Sequence, residues 1–103
     1  MGLPICRIGD TGEGVCTAGG SGAHTITATV LTGAGTVYAE GSSLSRMGDV
    51  VEGDDGHQQI AMIITGSPTV YSEGLPVARF GDFFEGPQLT GILITGAATV
   101  YAI

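Results

Sequence analysis

The chain has 103 residues and a formal net charge of −7, because ten carboxylates face only three arginines and no lysine. This balance excludes a basic surface of the kind that binds nucleic-acid phosphates or anionic lipid. Hydrophobic residues make up 43% of the chain, enough for one packed domain over 1–103, and the 19 glycines predict many tight turns between short strands.

The N-terminal segment, residues 1–10, has no long apolar region behind a basic one. We therefore expect synthesis in the cytoplasm without a signal peptide. Further along the chain, no apolar stretch approaches the ~20 residues that a membrane helix needs. Stable membrane insertion is therefore not expected either.

Two sequence patterns occur three times each. Arg-x-Gly-Asp takes up all three arginines of the chain, and the Gly-x-x-Thr-Val-Tyr pattern that follows each copy takes up all three tyrosines. A glycine lies five residues before each arginine and divides the chain into units 2–40, 41–73 and 74–103. The two patterns begin at Arg7, Arg46 and Arg79, and at Gly33, Gly66 and Gly96.

Each unit contains β-prone runs. The runs 27–31, 60–65 and 92–95 predict strands, and in each unit a glycine-containing turn and Thr-Val-Tyr predict the returning strand of a hairpin. The segment 11–23 is interpreted as a long loop. Glu-Gly pairs after the first two tyrosines mark a further turn, and the third unit ends just before that turn. We therefore expect an all-β fold in which the units close into a ring with adjacent termini, since one hairpin alone is barely stable.

The Arg-x-Gly-Asp segments favour a structural interpretation. Glycine allows an unusual backbone angle, aspartate caps local N–H groups, and each arginine is expected to pair with a nearby carboxylate, as at Asp10, Asp49 or Asp82. An integrin-type attachment loop is excluded, because that motif needs arginine directly before glycine and here one residue intervenes.

The two histidines occupy equivalent places. His24 and His57 each lie nine residues before the glycine that opens the second pattern, and Pro87 takes this place in the third unit. If the units surround a common axis, two imidazoles with a nearby thiolate suit a zinc or iron ion, and Cys16 is the best further ligand. The alternative is that both histidines are surface or hydrogen-bonded loop residues.

The remaining metal donors are fewer. The third unit offers only Glu85 or Asp82 as oxygen ligands, with Gln88 as a weaker one. Cys6 lies beside Arg7, where the other units have serine or alanine, and is expected to be a small packing residue.

No catalytic motif occurs in the sequence: there is neither Gly-x-Ser-x-Gly nor a phosphate-binding loop. We therefore expect no enzymatic activity. A metal-dependent hydrolase using Asp54, Asp55 or Glu85 beside a bound ion is one alternative, and a free-standing binding module is another.

The repeats resemble the PAAR-repeat family. Residues 75–82 (LPVARFGD) and 96–101 (GAATVY) are similar to the Pro-Ala-Ala-Arg, Gly-Asp and Gly-Ser-Pro-Thr-Val elements of that family, and 66–70 (GSPTV) matches the last element fully. Residues 3–7 (LPICR) match the first element with substitutions, and 43–46 (SLSR) departs from it most. The resemblance covers essentially the whole chain.

The resemblance implies a small cone of three β-hairpin repeats with pseudo-threefold symmetry. It implies a base that binds the blunt end of a trimeric β-helical spike, one copy per trimer, in a contractile phage tail or a type VI secretion system. It also implies an apex held by one zinc ion, here through Cys16, His24 and His57. The expected location is the virion tail tip, or outside the cell after passage through a contractile apparatus. Effector cargo is a further implied partner, and a bare tip without a fused effector domain is expected.

Overall fold

The computed structural model describes residues 2–16, 24–54, 58–97 and 100–102, and it contains twelve β-strands in that part of the chain. The strands are β1 (Leu3–Pro4), β2 (Thr11–Cys16), β3 (His24–Val30), β4 (Tyr38–Ala39), β5 (Ser42–Ser43), β6 (Val50–Asp54), β7 (Gln58–Ile63), β8 (Tyr71–Ser72), β9 (Leu75–Pro76), β10 (Phe83–Glu85), β11 (Leu89–Leu93) and β12 (Tyr101–Ala102). No helix occurs among these residues, so none of them forms a helix that could span a membrane. The all-β prediction is confirmed.

Six strands form a closed antiparallel barrel in the order β10-β11-β2-β3-β6-β7. Each unit contributes one sequential pair, namely β2 with β3, β6 with β7, and β10 with β11. The pairs are joined by β3 with β6, β7 with β10, and β11 with β2. Every barrel strand therefore has a partner on both sides, and every unit borders both of the others.

The predicted pairing of the β-prone runs with Thr-Val-Tyr was wrong. β3 pairs instead with β2, Thr11–Cys16, which lies in the segment interpreted as a loop. Residues of β2 alternate between the exterior and the interior, but the interior positions are Gly12, Gly14 and Cys16. A Cβ atom on Gly12 would lie 2.5 Å from Cε2 of Phe84, whose ring fills the barrel interior. Glycine is needed there for space, and it hides the alternation of apolar residues that normally indicates a strand.

Three two-stranded ribbons lie outside the barrel: β4 with β5, β8 with β9, and β12 with β1. The first two are closed by the predicted Glu-Gly turns. Glu40 and Gly41 have φ values of 52° and 85°, and Glu73 and Gly74 have 53° and 84°, as a tight two-residue hairpin turn requires. The third ribbon pairs Leu3 with Ala102. The N- and C-terminal strands are therefore adjacent, as the sequence predicts.

A closed ring of three backbone hydrogen bonds joins the units. Cys6 N donates to Ala78 O at 3.0 Å, Ala78 N donates to Ser45 O at 2.9 Å, and Ser45 N donates to Cys6 O at 2.9 Å. All three residues are fully buried, and each immediately precedes the arginine of its unit. Each unit therefore donates to one neighbour and accepts from the other around a shared centre.

Two apolar clusters correspond to the two parts of the fold. The barrel interior is filled by Phe84 and by aliphatic residues such as Leu93 and Val30. Ile5, Leu44 and Val77, one from each unit, are the largest residues of the second cluster, which lies beneath the ribbons. Burying a side chain of this size contributes about 1.5–3 kcal/mol to stability.

Candidate functional site

Each Arg-x-Gly-Asp segment forms a turn closed by its own aspartate. In the first unit, Asp10 Oδ2 accepts hydrogen bonds from the backbone N and the Nε of Arg7, at 2.8 and 2.9 Å, and Oδ1 accepts one from Nη2 at 3.1 Å. Gly9, between them, has a φ of 94°. The same contacts recur between Arg46 and Asp49 and between Arg79 and Asp82. The predicted turn and ion pairs are confirmed.

The aspartate of each turn also binds a threonine of the preceding unit in the ring. Thr65 Oγ1 donates to Asp82 Oδ1 at 2.8 Å, and the same Oγ1 accepts a hydrogen bond from Phe83 N at 3.0 Å. The equivalent pairs are Thr32 with Asp49 and Thr95 with Asp10. The sequence interpretation missed these threonines, although each directly precedes a glycine of the second pattern and so carries a visible signal.

These contacts change the acidity of Asp10. Burial acts to raise the pKa of its carboxyl group, but hydrogen bonds from Arg7 and Thr95, together with the Arg7 charge, outweigh burial and hold the pKa below its ordinary value. The same hydrogen bond raises the pKa of Arg7. The ion pair is therefore present throughout the neutral range.

Two glutamates complete the arginine environments. Arg7 Nη1 donates to Glu40 Oε1 at 2.9 Å, and Arg46 Nη1 donates to Glu73 Oε1 at 2.7 Å. Glu73 also accepts hydrogen bonds from Thr36, through its backbone N at 3.1 Å and its Oγ1 at 2.7 Å. Every arginine of the chain is thus paired with a carboxylate. Because the chain has no lysine, its surface carries no unpaired lysine or arginine.

Exposed apolar side chains lie beside these ion pairs. The residue after each arginine is apolar and 38–42% exposed, and the three tyrosines are 55–60% exposed. Ile8 N donates to Ser43 O, and Ser43 is the strand partner of Tyr38. In the same way, Met47 N donates to Pro76 O, and Pro76 is the strand partner of Tyr71. Phe80 N donates to Pro4 O, and Pro4 is the strand partner of Tyr101. We call the six exposed residues Ile8, Met47, Phe80, Tyr38, Tyr71 and Tyr101 the base ring.

Two of the candidate metal ligands, Cys16 and His24, lie at the end of a barrel hairpin away from the ribbons. Cys16 is the last residue of β2, is fully buried, and is directly opposite His24, the first residue of β3. The side chain of His24 and the whole of His57 lie outside the described residues.

Of the third-unit oxygen donors, Asp82 and Glu85 do not join Cys16, and Gln88 is exposed next to Leu89, the strand partner of Cys16. Asp82 binds Arg79 and Thr65 near the ribbons, and Glu85 is exposed on the barrel exterior. Of the residues suggested for a hydrolase, Asp54 is the last residue of β6 and Asp55 lies outside the described residues. Among the residues that the structure describes, no three histidine, cysteine, aspartate or glutamate residues form a metal-binding group.

Cys6 has a different environment. Its side chain is fully buried in the barrel cluster, and Sγ donates to Thr95 O at 3.1 Å. Burial, with a smaller contribution from the charges of Asp10 and Asp82, raises the pKa of the thiol to about 12. Cys6 is therefore an inert packing residue, as the sequence indicates.

Comparison with protein families gives one match. A family model described as PAAR motif matches residues 19–86, about two thirds of the chain. Comparison with curated proteins gives no significant match. The matched segment begins after β2 and ends after β10, so it includes two of the three Arg-x-Gly-Asp turns and the second pattern of the first two units.

Proposed function

This chain belongs to the PAAR-motif family, which is associated with the spike tip of contractile injection systems, and we propose that it caps the blunt end of a trimeric β-helical spike. One copy binds one trimer, sharpens its end and helps it to pierce a target cell envelope. The tip works at the end of a phage tail or of a secreted spike, and its role is structural rather than enzymatic.

The hydrogen-bond ring of Cys6, Ser45 and Ala78 carries this proposal. A single chain that mates with a threefold-symmetric partner needs three similar surfaces arranged around one axis. A cyclic set of bonds between equivalent residues of three units supports that arrangement, because each unit has the same relation to the next. It is also what a pseudo-threefold cone needs at its centre.

The base ring is the proposed docking surface. Its tyrosines, with one apolar neighbour each, resemble the aromatic residues that anchor protein interfaces, and no arginine beside them has an unpaired charge. A trimeric β-helix ends in open strand edges, which invite pairing and aggregation unless they are covered. The three ribbons beside the base ring offer short strands that can continue those edges.

We also propose that one zinc or iron ion binds at the far end of the barrel, through Cys16, His24 and His57. A thiolate and two imidazoles are a donor set that zinc favours, and the interior placement of Cys16 opposite position 24 fits such a site. A bound ion would supply a cross-link at this end of the barrel. The chain's own contribution is to hold Cys16 in the last rung of β2.

The stoichiometry of the complex tests the capping function. The chain would be mixed with a trimeric β-helical spike protein from the same genome and measured by size-exclusion chromatography with light scattering. One copy per trimer is expected, and a Met47→Ser, Tyr71→Ser variant should lose the complex because it removes a third of the base ring. A matched Val15→Ser, Thr25→Ser variant on the barrel exterior should retain it.

Separate elution of chain and spike would overturn the capping proposal and favour the free-standing binding module. Three copies per trimer would overturn the axial geometry.

A further inference from the structure

The three barrel hairpins differ in the side chains they present to solvent. In the first unit the outward positions of β3 are Thr25, Thr27 and Thr29. The units can be aligned on the glycines that open the second pattern, Gly33, Gly66 and Gly96. In this alignment Ile60 and Met62 of the second unit correspond to Thr27 and Thr29. Ile92 of the third unit corresponds to Thr29. The barrel wall is therefore polar on one side and apolar where the second and third units meet.

Four exposed apolar residues make up this apolar side. Ile60, Met62, Phe83 and Ile92 are 45, 52, 51 and 39% exposed. Phe83 pairs directly with Ile92, and Met62 pairs directly with Glu85 across the junction of β7 and β10. We call these four residues the apolar seam. Monomeric proteins seldom expose contiguous apolar side chains without a binding role.

Glu85 separates two shallow hollows in the seam. One hollow is lined by Phe83 and Ile92 together with Glu85 and Glu13, the strand partner of Ile92, and the other by Ile60 and Met62 together with Glu85. The carboxylate is exposed and lies between apolar side chains on both sides along the wall. A ligand that fills both hollows would cover Glu85 as well.

We propose that the apolar seam docks an extended segment of a partner protein that carries apolar side chains and a lysine or arginine opposite Glu85. The base ring belongs to the ribbons and turns, whereas the seam belongs to the barrel wall, so this site is additional to the capping surface and does not depend on it. A partner bound here would be carried on the side of the tip.

The charge of the chain selects a cationic partner segment. Covering Glu85 with apolar groups alone would leave a buried unpaired carboxylate, which strongly opposes binding. A second copy of this chain brings no lysine and no unpaired arginine, because its three arginines are bound to Asp10, Asp49 and Asp82. The barrel also has no free strand edge, so the partner must be recognised through side chains.

Nuclear magnetic resonance with an isotopically labelled chain tests the seam. The probe is a synthetic peptide of alternating leucine and lysine, compared with a matched peptide of alternating leucine and glutamate. Saturable shift changes are expected at Ile60, Met62, Phe83 and Ile92 with the lysine peptide. The glutamate peptide should bind at least about tenfold more weakly, a difference of about 1.4 kcal/mol in binding free energy.

Two variants separate docking from folding. Ile60→Thr with Met62→Thr copies the outward face of β3, which the same barrel already accommodates, so the spectrum of the core should persist while peptide binding is lost. Glu85→Gln should reduce the preference for lysine over glutamate without abolishing it, since Glu13 lines the same hollow. Thr27→Ala on the polar side should change neither binding nor preference.

Three outcomes would overturn the proposal. The first is a set of shift changes that is equal for the two peptides or absent with both. The second is a concentration-dependent shift change at the seam without peptide, which would assign the seam to self-association. The third is flotation of the chain with phosphatidylcholine vesicles, which would assign the seam to lipid binding.

Discussion

Thr65 Oγ1 lies 2.8 Å from Asp82 Oδ1, and this hydrogen bond joins the second unit of the chain to the third. Equivalent bonds join the first unit to the second and the third to the first. The aspartate that closes each Arg-x-Gly-Asp turn is thus also the point at which the preceding unit is attached. The repeated motif therefore holds the ring together as well as each turn.

Replacing Thr65 with valine should destabilise the protein. Thr65→Val keeps the shape of the side chain but leaves Asp82 without one donor and Phe83 N without its acceptor. A hydrogen bond to a charged group contributes about 1.5–3 kcal/mol, so the free energy of unfolding in denaturant should fall by that amount. Thr27→Val, on the exposed face of β3, is the control and should change it little. Equal effects of the two variants would contradict the role of the threonine.

An alanine at Gly12 should disturb the barrel. Its Cβ would lie 2.5 Å from Cε2 of Phe84 and 2.7 Å from Ile92 O, so either the ring or the neighbouring strand must move. Overpacking of this kind costs about 1–3 kcal/mol of unfolding free energy. Gly35→Ala is the matched control, because only Glu73 Oε2, at 4.0 Å, lies near its added Cβ and the third unit naturally has alanine there. Thermal unfolding that is equal in the two variants would show that Phe84 does not fill the barrel in this way.

Acid should weaken the protein through Asp10. The carboxyl pKa is below its ordinary value of 3.8 in the folded chain, so its contribution to stability is complete above that value. The contribution is lost as pH falls through the lower folded-state pKa, because the unfolded chain binds the proton first. Thr95→Val removes one of the hydrogen bonds that lower the pKa. In this variant the free energy of unfolding should therefore decrease less steeply as the pH falls. Thr27→Val should leave the slope unchanged, and an unchanged slope in Thr95→Val would exclude this linkage.

Alkali should weaken the protein through Cys6. The pKa of the thiol is about 12 when folded, against 9.0 for an ordinary thiol, so the folded chain keeps a proton that the unfolded chain loses. Its contribution to stability is therefore complete below pH 9.0 and declines towards pH 12. Cys6→Ala, which copies Ala78, should show a smaller decline in denaturant unfolding at alkaline pH under reducing conditions. A decline as steep as in the parent chain would exclude Cys6 as its cause.

Removal of the proposed ion should be visible in metal content. Elemental analysis of the purified chain should find about one zinc or iron ion, as a closed structural site holds. Cys16→Ser and His57→Ala should each lower that content, whereas Cys6→Ala should retain it because Cys6 lies elsewhere in the barrel. Unchanged metal content in Cys16→Ser and His57→Ala would remove the ligand assignment.

Much of the framework could be predicted from the repeats. The Arg-x-Gly-Asp turns, the Glu-Gly turns and the adjacent termini follow from residues with specific backbone requirements, such as Gly9 and Gly41 at positive φ. β2 was missed for a physical reason: Gly12 and Gly14 stand where apolar residues usually indicate the interior of a strand, since neighbouring groups already fill that space.

The candidate site was predicted less completely. Pairing of Cys16 with His24 brings two of the suggested ligands to one rung of the barrel, while His57 remains a prediction. The repeated position of the threonines at 32, 65 and 95 was visible in the sequence, but their role was missed because they bind another unit, and the partner of such a contact cannot be inferred from one segment. The apolar seam was missed for the same reason, since β7 and β10 form it together.

The pairing of β1 with β12 also sets the timing of folding. Leu3 has to wait for Ala102, so a nascent chain emerging from the ribosome holds its first strand without a partner until almost all of the described sequence has been translated. Contacts between such distant residues form slowly, because the intervening chain must first be ordered. Closure of this ribbon is thus late, and until Ala102 is available the apolar residues of the early units are open to chaperones and to aggregation.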